Sequence, residues 1–523
     1  MTADRGKRWR VVHHVVGALL VFAWIVAAAF QVRSTGPEYG FDAENVPPPA
    51  TDAAARSYGI YYQDRKIGFS ESWREELAGG GARFFDRVYW QFKAQRSVQR
   101  LAMESETDVD QRWQLVSFAT RIDAGLAKIS ARAVVRGETL EVELTTAGQT
   151  RRESYPLAGP VLVPALLRSY VAARDPAPGS ALRLDVYNPL LRGAEPIEVL
   201  VEERTADGWR IAEIMRGSIK TTAWIDRSGT TLREESFMGF RMESEPREQA
   251  MALPEDAESI PDLVFAAAVP VDGDIDDPQR VRRLVLRLSG TDLSSFAALD
   301  GGRQTRRGGD VTVEAPPYPD RAPYLLPLDL AGASAELIEA LQPEALVQAD
   351  DPKIVRLATR VVGAERDPAR AAARLSEWVH SRLRKESSVG VPSAVEVLAV
   401  MAGDCNEHTV LFTALARAIG VPTRMAAGIV YADPEGSGAA MYYHAWPEVW
   451  LGSWVAIDPT FGQLPADATH VRFILGGLER QVDILRLIGT LRVSVRQLER
   501  DDGRAARRHP GAATAPAGEE EGP

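Results

Sequence analysis

A single thiol, Cys405, stands in Gly403-Asp404-Cys405-Asn406-Glu407-His408, and it is the one cysteine in 523 residues. One cysteine cannot close an internal disulfide, so an exported chain would carry an unpaired, oxidisable thiol that needs a use. The chemistry open to it is nucleophilic: a thiolate attacks a carbonyl once a base has taken its proton and a third group has oriented that base. Downstream, His444 suits the base and Asp458 the orienter, the logic of a serine triad with sulfur in place of oxygen. His408 is the rival base, because side chains at i and i+3 are neighbours on a helix. A residue on that helix is badly placed to reach the side of the sulfur where a substrate arrives, so His408 is expected to support the helix start. Two other readings stay open at this point: a buried structural cysteine, and a zinc site made by Cys405, His444 and Asp458.

Local patterns say which elements hold these groups. Asp404 as N-cap with Glu407 three residues on has the form of a capping box. Leu411, Ala414, Leu415 and Ala418 then repeat at helical spacing, and Gly420 and Pro422 end the run, which predicts a helix over about Cys405–Ile419. Cys405 falls in its first turn, where free N–H groups and the helix dipole favour a thiolate; beside an imidazolium such a site can bring a thiol from about 8.5 to roughly 3.5–7.5. Thr423–Tyr431 and Met441–Leu451 read as strands, the second carrying His444. Trp454–Ile457, linked by Gly452-Ser453, reads as the other arm of a hairpin that ends at Asp458. That hairpin would set Asp458 beside His444. Trp446, Trp450 and Trp454 crowd the same strands, as core or as a wall around the site.

Gly403–His408, Leu411–Arg424, His444-Ala445-Trp446-Pro447-Glu448-Val449-Trp450 and Trp454–Thr460, together with Ala394–Leu398, resemble the core of the transglutaminase-like superfamily, in the family's order. The resemblance covers about Lys353–Phe473. It implies Cys405 as nucleophile, His444 as base and Asp458 as orienter, acting by acyl transfer through a thioester that water or an amine resolves. Relatives include cross-linking enzymes, cysteine peptidases, amidases and members whose triad is lost; this chain keeps all three residues. The Cys405 N–H is the natural first oxyanion donor, and no second donor stands out. This chemistry calls for no metal and no cofactor. Hydrolysis of a peptide or side-chain amide is the expected outcome, with a non-catalytic envelope binding protein as the alternative.

Around that core the chain divides by composition. Arg5, Lys7, Arg8 and Arg10 (segment 1–10) precede an apolar run over 11–31, long enough to cross a bilayer of about 30 Å. Basic residues stay cytoplasmic, so the rest is expected outside, anchored by a single pass in the inner membrane and facing the periplasm. Ala27-Ala28-Ala29 leaves cleavage open. A Pro-rich spacer follows at 32–55. From 56 to 253 many strand-like runs separated by turns, with one helical stretch at Val161–Ala173, predict a curved antiparallel β domain. Segment 254–330 reads as a strand pair, Val281–Leu288 and Val311–Glu314, with a Pro-rich connector. Its acidic Asp272–Asp277 lacks the glycine and terminal acid of a calcium loop. Segment 331–500 reads as the catalytic domain, whose leading helices should pack behind the catalytic helix. There Asp467-Ala468-Thr469-His470 follows Asp458 closely enough to edge the cleft, with His470 itself expected to be structural. Segment 501–523 reads as a disordered tail. The expected fold class is therefore α+β: a papain-like or transglutaminase-like core with the catalytic helix on an antiparallel sheet, preceded by the β domain and a transmembrane helix. A net charge of −11 argues against a nucleic-acid partner. The expected partners are a peptide or protein substrate in the cell envelope, and the membrane.

Overall fold

The computed structural model describes residues 55–501 apart from short internal stretches, of which 387–392 is the longest. Segments 1–10 and 11–31, the spacer up to 54, and residues 502–523 lie outside the described residues. Among those described, no helix is long and apolar enough to cross a membrane.

From Arg56 to Glu245 the alternating runs pair into one sheet of fourteen strands. The first strand, Arg56–Tyr62, lies beside the last, Phe240–Glu245, antiparallel and with Tyr58 opposite Ser244. The sheet edges are therefore internal strands, Gln149–Pro156 and Ala181–Asn188. Leu140 and Val142 from one arm share a buried cluster with Val199, Ile211 and Ile225 from the other, and with Leu166, Leu167 and Val171 of helix Pro164–Ala172. A flat sheet would hold those arms apart. The accumulated strand twist curls it around the helix, which fills the concave face.

The strand pair of segment 254–330 is built into the C-terminal half. Val281–Ser289 pairs with Asp310–Glu314 on one side and with Arg492–Arg500 on the other, Leu286 facing both Val311 and Val495. Leu284, Leu286, Val311, Val313 and Val493 then merge into one cluster with Ile429, Met441, Val471 and Phe473. The latter belong to a four-stranded sheet ordered Trp454–Ala456, Ala440–Trp450, Thr423–Ala432, Val471–Leu475, antiparallel throughout.

Helix Cys405–Ala418 packs on that sheet. Behind it lie helices Pro352–Val362, Pro368–Arg382 and Ala394–Val400, whose Ile354, Ala358, Leu375, Val379 and Val397 join Leu411, Phe412 and Leu415 in one core. Complete burial of each large apolar side chain there contributes about 1.5–3 kcal/mol. One apolar face is what the sequence shows, but Asn406 through Arg417 are all buried. Enclosure between a sheet and three helices is possible because the polar positions find internal partners. Thr413 Oγ1 donates to Thr409 O at 2.7 Å, and Arg417 donates to Thr423 O at 2.9 Å and to Glu344 at 2.6 Å. The fold is α+β, a large antiparallel sheet followed by a helix-on-sheet unit.

Candidate active site

The helix start is built to hold one residue in place. The Asp404 side chain accepts from the Glu407 backbone, Glu407 Oε2 accepts from Asp404 N at 2.8 Å, and both halves of the capping box thus form; Asp404 Oδ1 also accepts from Asn406 N at 2.9 Å. Gly403 has φ +153°, and a Cβ on it would lie 2.1 Å from Glu407 Cγ, so this turn requires glycine. Cys405 follows as the first helical residue, half-buried. Thr409 Oγ1 donates to Ala445 O at 3.1 Å, and the Ala445 N–H hydrogen-bonds the Cys405 sulfur. The helix is thereby fastened to the strand next to His444.

Burial pushes the Cys405 thiol well above its ordinary range; Asp404 adds to this, the Ala445 N–H pulls back, and Glu407 and Asp458 add further. The helix dipole predicts the opposite direction. Here desolvation and the acids of the capping box win, so the resting group is a thiol and its proton must be removed during attack.

His444 and Asp458 are both buried, and His444 Nε2 lies 2.8 Å from Asp458 Oδ2. The other oxygen, Oδ1, accepts from Thr460 N at 2.7 Å and Phe461 N at 3.1 Å, which fixes the carboxylate plane. Burial alone would raise this carboxyl, but His444 and His470 overcome it and hold it far below the usual range. An ionised acceptor at Oδ2 assigns the proton to His444 Nε2 and leaves Nδ1 as the ring's free lone pair. Phe461 stacks on the His444 ring, centroids 4.8 Å apart and planes 5° from parallel, and Trp446 lies 6.1 Å away. Trp450 and Trp454 instead pair with each other at 5.5 Å, on the rim of a different pocket that Gly452 and Arg303 also line. In the sequence only the position of Phe461, three residues after Asp458, hints at this stacking.

His408 takes the supporting part. Its Nδ1 donates to Asp404 O at 2.7 Å, its Nε2 is buried without a partner among the described residues, and burial lowers its pKa, so the ring is neutral and braces the first turn.

His470 is more deeply involved than its sequence position implies. Its Nε2 lies 3.1 Å from Asp458 Oδ2, the oxygen that His444 also uses, and its Nδ1 lies 3.2 Å from Asp467 Oδ1. Both partners are acceptors, so both nitrogens carry protons. Burial opposes the charge, but Asp467 and Asp458 outweigh it and push the pKa up to about 9. Asp467 is anchored in turn by Thr469 N at 2.8 Å, Thr469 Oγ1 at 2.6 Å and Gln463 Nε2 at 2.8 Å, while Arg303 donates to the Ala466 and Asp467 carbonyls. Gly428, opposite His444, lets strand Val471–Leu475 close in: a Cβ there would sit 1.9 Å from Val471 O. Among the described residues the ligand atoms of His444, Asp458 and His470 come within 4.8 Å of one another. That group has His470 where a zinc site built on the thiol would need Cys405, and its atoms already serve as hydrogen-bond partners of each other.

The Transglutaminase-like superfamily core matches residues 355–459. No curated protein matches the chain. Solved structures similar to it include a "Putative Cysteine Protease" from Cytophaga hutchinsonii, 13% identical, covering 42% of this chain and 86% of its own length with a TM-score of 0.28. A "Beta-barrel-like Protein" of a domain of unknown function from Brucella abortus is 11% identical and covers 36% of this chain and 94% of its own, TM-score 0.30. A "Putative Protease" from Parabacteroides distasonis is 12% identical and covers 63% of each chain, TM-score 0.18. At such scores none of the three bears on mechanism. Cys405, His444 and Asp458 all fall inside the matched segment and His470 beyond it; the chain carries a transglutaminase-like superfamily domain over residues 355–459.

Proposed function

We propose that this chain is a cysteine acyl-transfer enzyme that attacks a peptide or side-chain amide through Cys405, His444 and Asp458 and ordinarily hydrolyses it. The observation that carries the reading is the 2.8 Å His444 Nε2–Asp458 Oδ2 bond, on a strand whose next residue hydrogen-bonds the Cys405 sulfur. In the first half-reaction His444 Nδ1 takes the thiol proton as sulfur bonds to the carbonyl carbon, and the C=O pair moves onto oxygen. Collapse breaks the C–N bond, and the amine leaves with the proton from Nδ1, so a thioester remains. Water then gives a proton to Nδ1 as its oxygen attacks the same carbon. The C–S bond breaks, and sulfur recovers the proton. Asp458 accepts from Nε2 throughout and stabilises the imidazolium. The Cys405 N–H, at the unpaired end of the helix, is the first oxyanion donor in this scheme. Cross-linking is the variant in which an amine replaces water.

In this proposal the enzyme stands outside the cytoplasm, held by residues 11–31, and its substrates are peptides or proteins of the envelope. The basic cluster ahead of that apolar run supports the orientation. Alkylation of the full chain by iodoacetamide across about pH 4–9 tests the chemistry. Labelling is expected at Cys405 alone, absent in Cys405→Ser and slower at neutral pH in His444→Ala. Labelling indifferent to His444→Ala overturns the proposal. Digestion of intact spheroplasts by an external protease tests the location, since a protected chain would contradict it.

A further inference from the structure

Two imidazoles converge on one carboxylate oxygen: Asp458 Oδ2 accepts from His444 Nε2 at 2.8 Å and from His470 Nε2 at 3.1 Å. Only one of them can be the base. We infer that His470 is a positioning residue which, as a fixed cation on the oxygen that His444 uses, keeps Cys405 and His444 as a neutral thiol–imidazole pair until a substrate carbonyl arrives. The inference rests on the acyl-transfer reading and deepens it.

The argument is one of charge and place. Moving the thiol proton to His444 Nδ1 creates a cation on a ring whose centroid is 5.7 Å from that of His470. Asp458 would ordinarily compensate that cation, but its facing oxygen already accepts from His470. Both rings are buried, so salt and water screen the repulsion weakly. At this separation and an effective dielectric near 20, the repulsion suffices to change the ion-pair population by about tenfold or more. His470 stays charged because each nitrogen faces a carboxylate, Asp458 on one side and Asp467 on the other. The charged or titratable groups around it are those two acids, His444 from the central strand and, behind Asp467, Arg303 from the neighbouring sheet. Glu448 and Arg472, further along the same strands, pair at 2.7 Å. Phe461 and Trp446 complete the surroundings without charge, their rings 6.2 and 5.2 Å from that of His470. On the sulfur side, burial beside Asp404 disfavours the thiolate independently.

A neutral pair would also protect the lone thiol in the extracytoplasmic setting proposed above. Oxidants and stray electrophiles react with the thiolate, so a thiol that ionises only against a bound carbonyl is protected between turnovers.

The test is the pH profile of Cys405 alkylation by iodoacetamide in the full chain. His470→Gln removes the cation and is expected to move the profile toward acid, raising the rate at about pH 6 by about tenfold. Asp467→Asn leaves His470 in place but removes the group that holds Nδ1 protonated, and a smaller shift in the same direction is expected. A merely structural role would lower the melting temperature without making the thiol more reactive in acid. A cooperatively melting His470→Gln whose profile superimposes on the parent overturns the inference. If that variant does not fold, Asp467→Asn decides by the same criterion. Alkylation that depends on His444 but not on His470 would sink this inference alone, whereas alkylation indifferent to His444→Ala would sink the acyl-transfer reading beneath it.

Discussion

Replacing Asp458 by Asn changes one atom and should silence the base. The carboxylate accepts four hydrogen bonds, from Thr460 N and Phe461 N on Oδ1 and from the two imidazoles on Oδ2. The backbone donors keep the amide oxygen of Asn on their side, so its NH2 group must face His444 and His470. Two ring N–H groups would then point at a donor. Each lost bond to a charged acceptor costs about 1.5–3 kcal/mol, so the folded state loses roughly 3–6 kcal/mol unless the rings change tautomer. His444 can relieve its share by moving its proton from Nε2 to Nδ1, which occupies the lone pair the thiol needs. The same exchange in a serine triad lowers turnover about 10⁴-fold, equivalent to about 5 kcal/mol of barrier. The assay is the burst of nitrophenolate from p-nitrophenyl acetate at neutral pH, which reports acylation of Cys405 whatever the natural substrate, run beside a thermal melt. The expected outcome is a cooperative but lowered melt and a burst rate indistinguishable from that of His444→Ala. A well-folded Asp458→Asn whose burst stays within about tenfold of the parent refutes the tautomer argument.

Three further outcomes are expected. Glu448 is buried and accepts from Arg424 at 2.9 and 2.6 Å and from the buried Arg472 at 2.7 Å; Glu448→Ala strands the Arg472 charge and should cost about 3–5 kcal/mol, read as a lower urea midpoint. An unchanged midpoint would mean that water or another acid replaces it. Gly403→Ala forces a Cβ against Glu407 and a φ that alanine avoids, so a loss of about 1–3 kcal/mol is expected together with altered Cys405 alkylation; a parent-like melt would show that the turn is not strained in this way. Stability should depend on pH through His470, whose pKa rises from 6.5 when free to about 9 in the fold. That contribution, on the order of 3 kcal/mol, is complete below the free value and is lost as pH climbs through the folded one. Asp458 and Asp467 are held below their ordinary values and act in the opposite sense, losing their contribution as pH falls into and below the carboxylate range. Urea midpoints should therefore decline between neutrality and alkaline pH, and His470→Gln should flatten that limb. A limb that stays as steep in the variant would assign it elsewhere.

How far the site could be read from sequence depended on the range of the interaction. Asp404 and Glu407 announce a helix start because capping is local, and the observed helix Cys405–Ala418 ends one residue before the expected Ile419. The two-residue Gly452-Ser453 link is equally local, and Trp454–Ala456 does pair with the strand bearing His444, as that link predicts. His470 reads from sequence as a structural residue at the edge of the cleft, because nothing around it in the chain marks a ring that must cross to Asp458; Gly428, on another strand, makes the approach possible. The thiol is shifted opposite to what the helix start predicts. Sequence displays the helix dipole, but the desolvation that outweighs it comes from burial in the folded chain, which no local pattern shows. Pairing of Val281–Ser289 with Arg492–Arg500 is invisible for the same reason: both runs alternate, and no local feature names the partner.

The strand that carries His444 is gripped at Met441 by Val269, their backbones exchanging bonds of 2.8 and 2.9 Å. Val269 lies in the stretch by which the chain leaves the large sheet, Val471–Leu475 covers the edge of Thr423–Ala432, and Arg492–Arg500 pairs with Val281–Ser289 in the neighbouring sheet. The segment 355–459 that matches the superfamily is thus smaller than what must travel together in a recombination event. Cut out at those limits, it would bring Cys405, His444 and Asp458 to a new host without His470, Arg472 or the outer strands. Two sheet edges would be left bare, ready to pair with other chains. The heritable piece is bounded by backbone pairing and runs from about Val269 to Arg500. Transplanted between those points it should arrive with its acid, its second imidazole and the outer strands of both sheets intact.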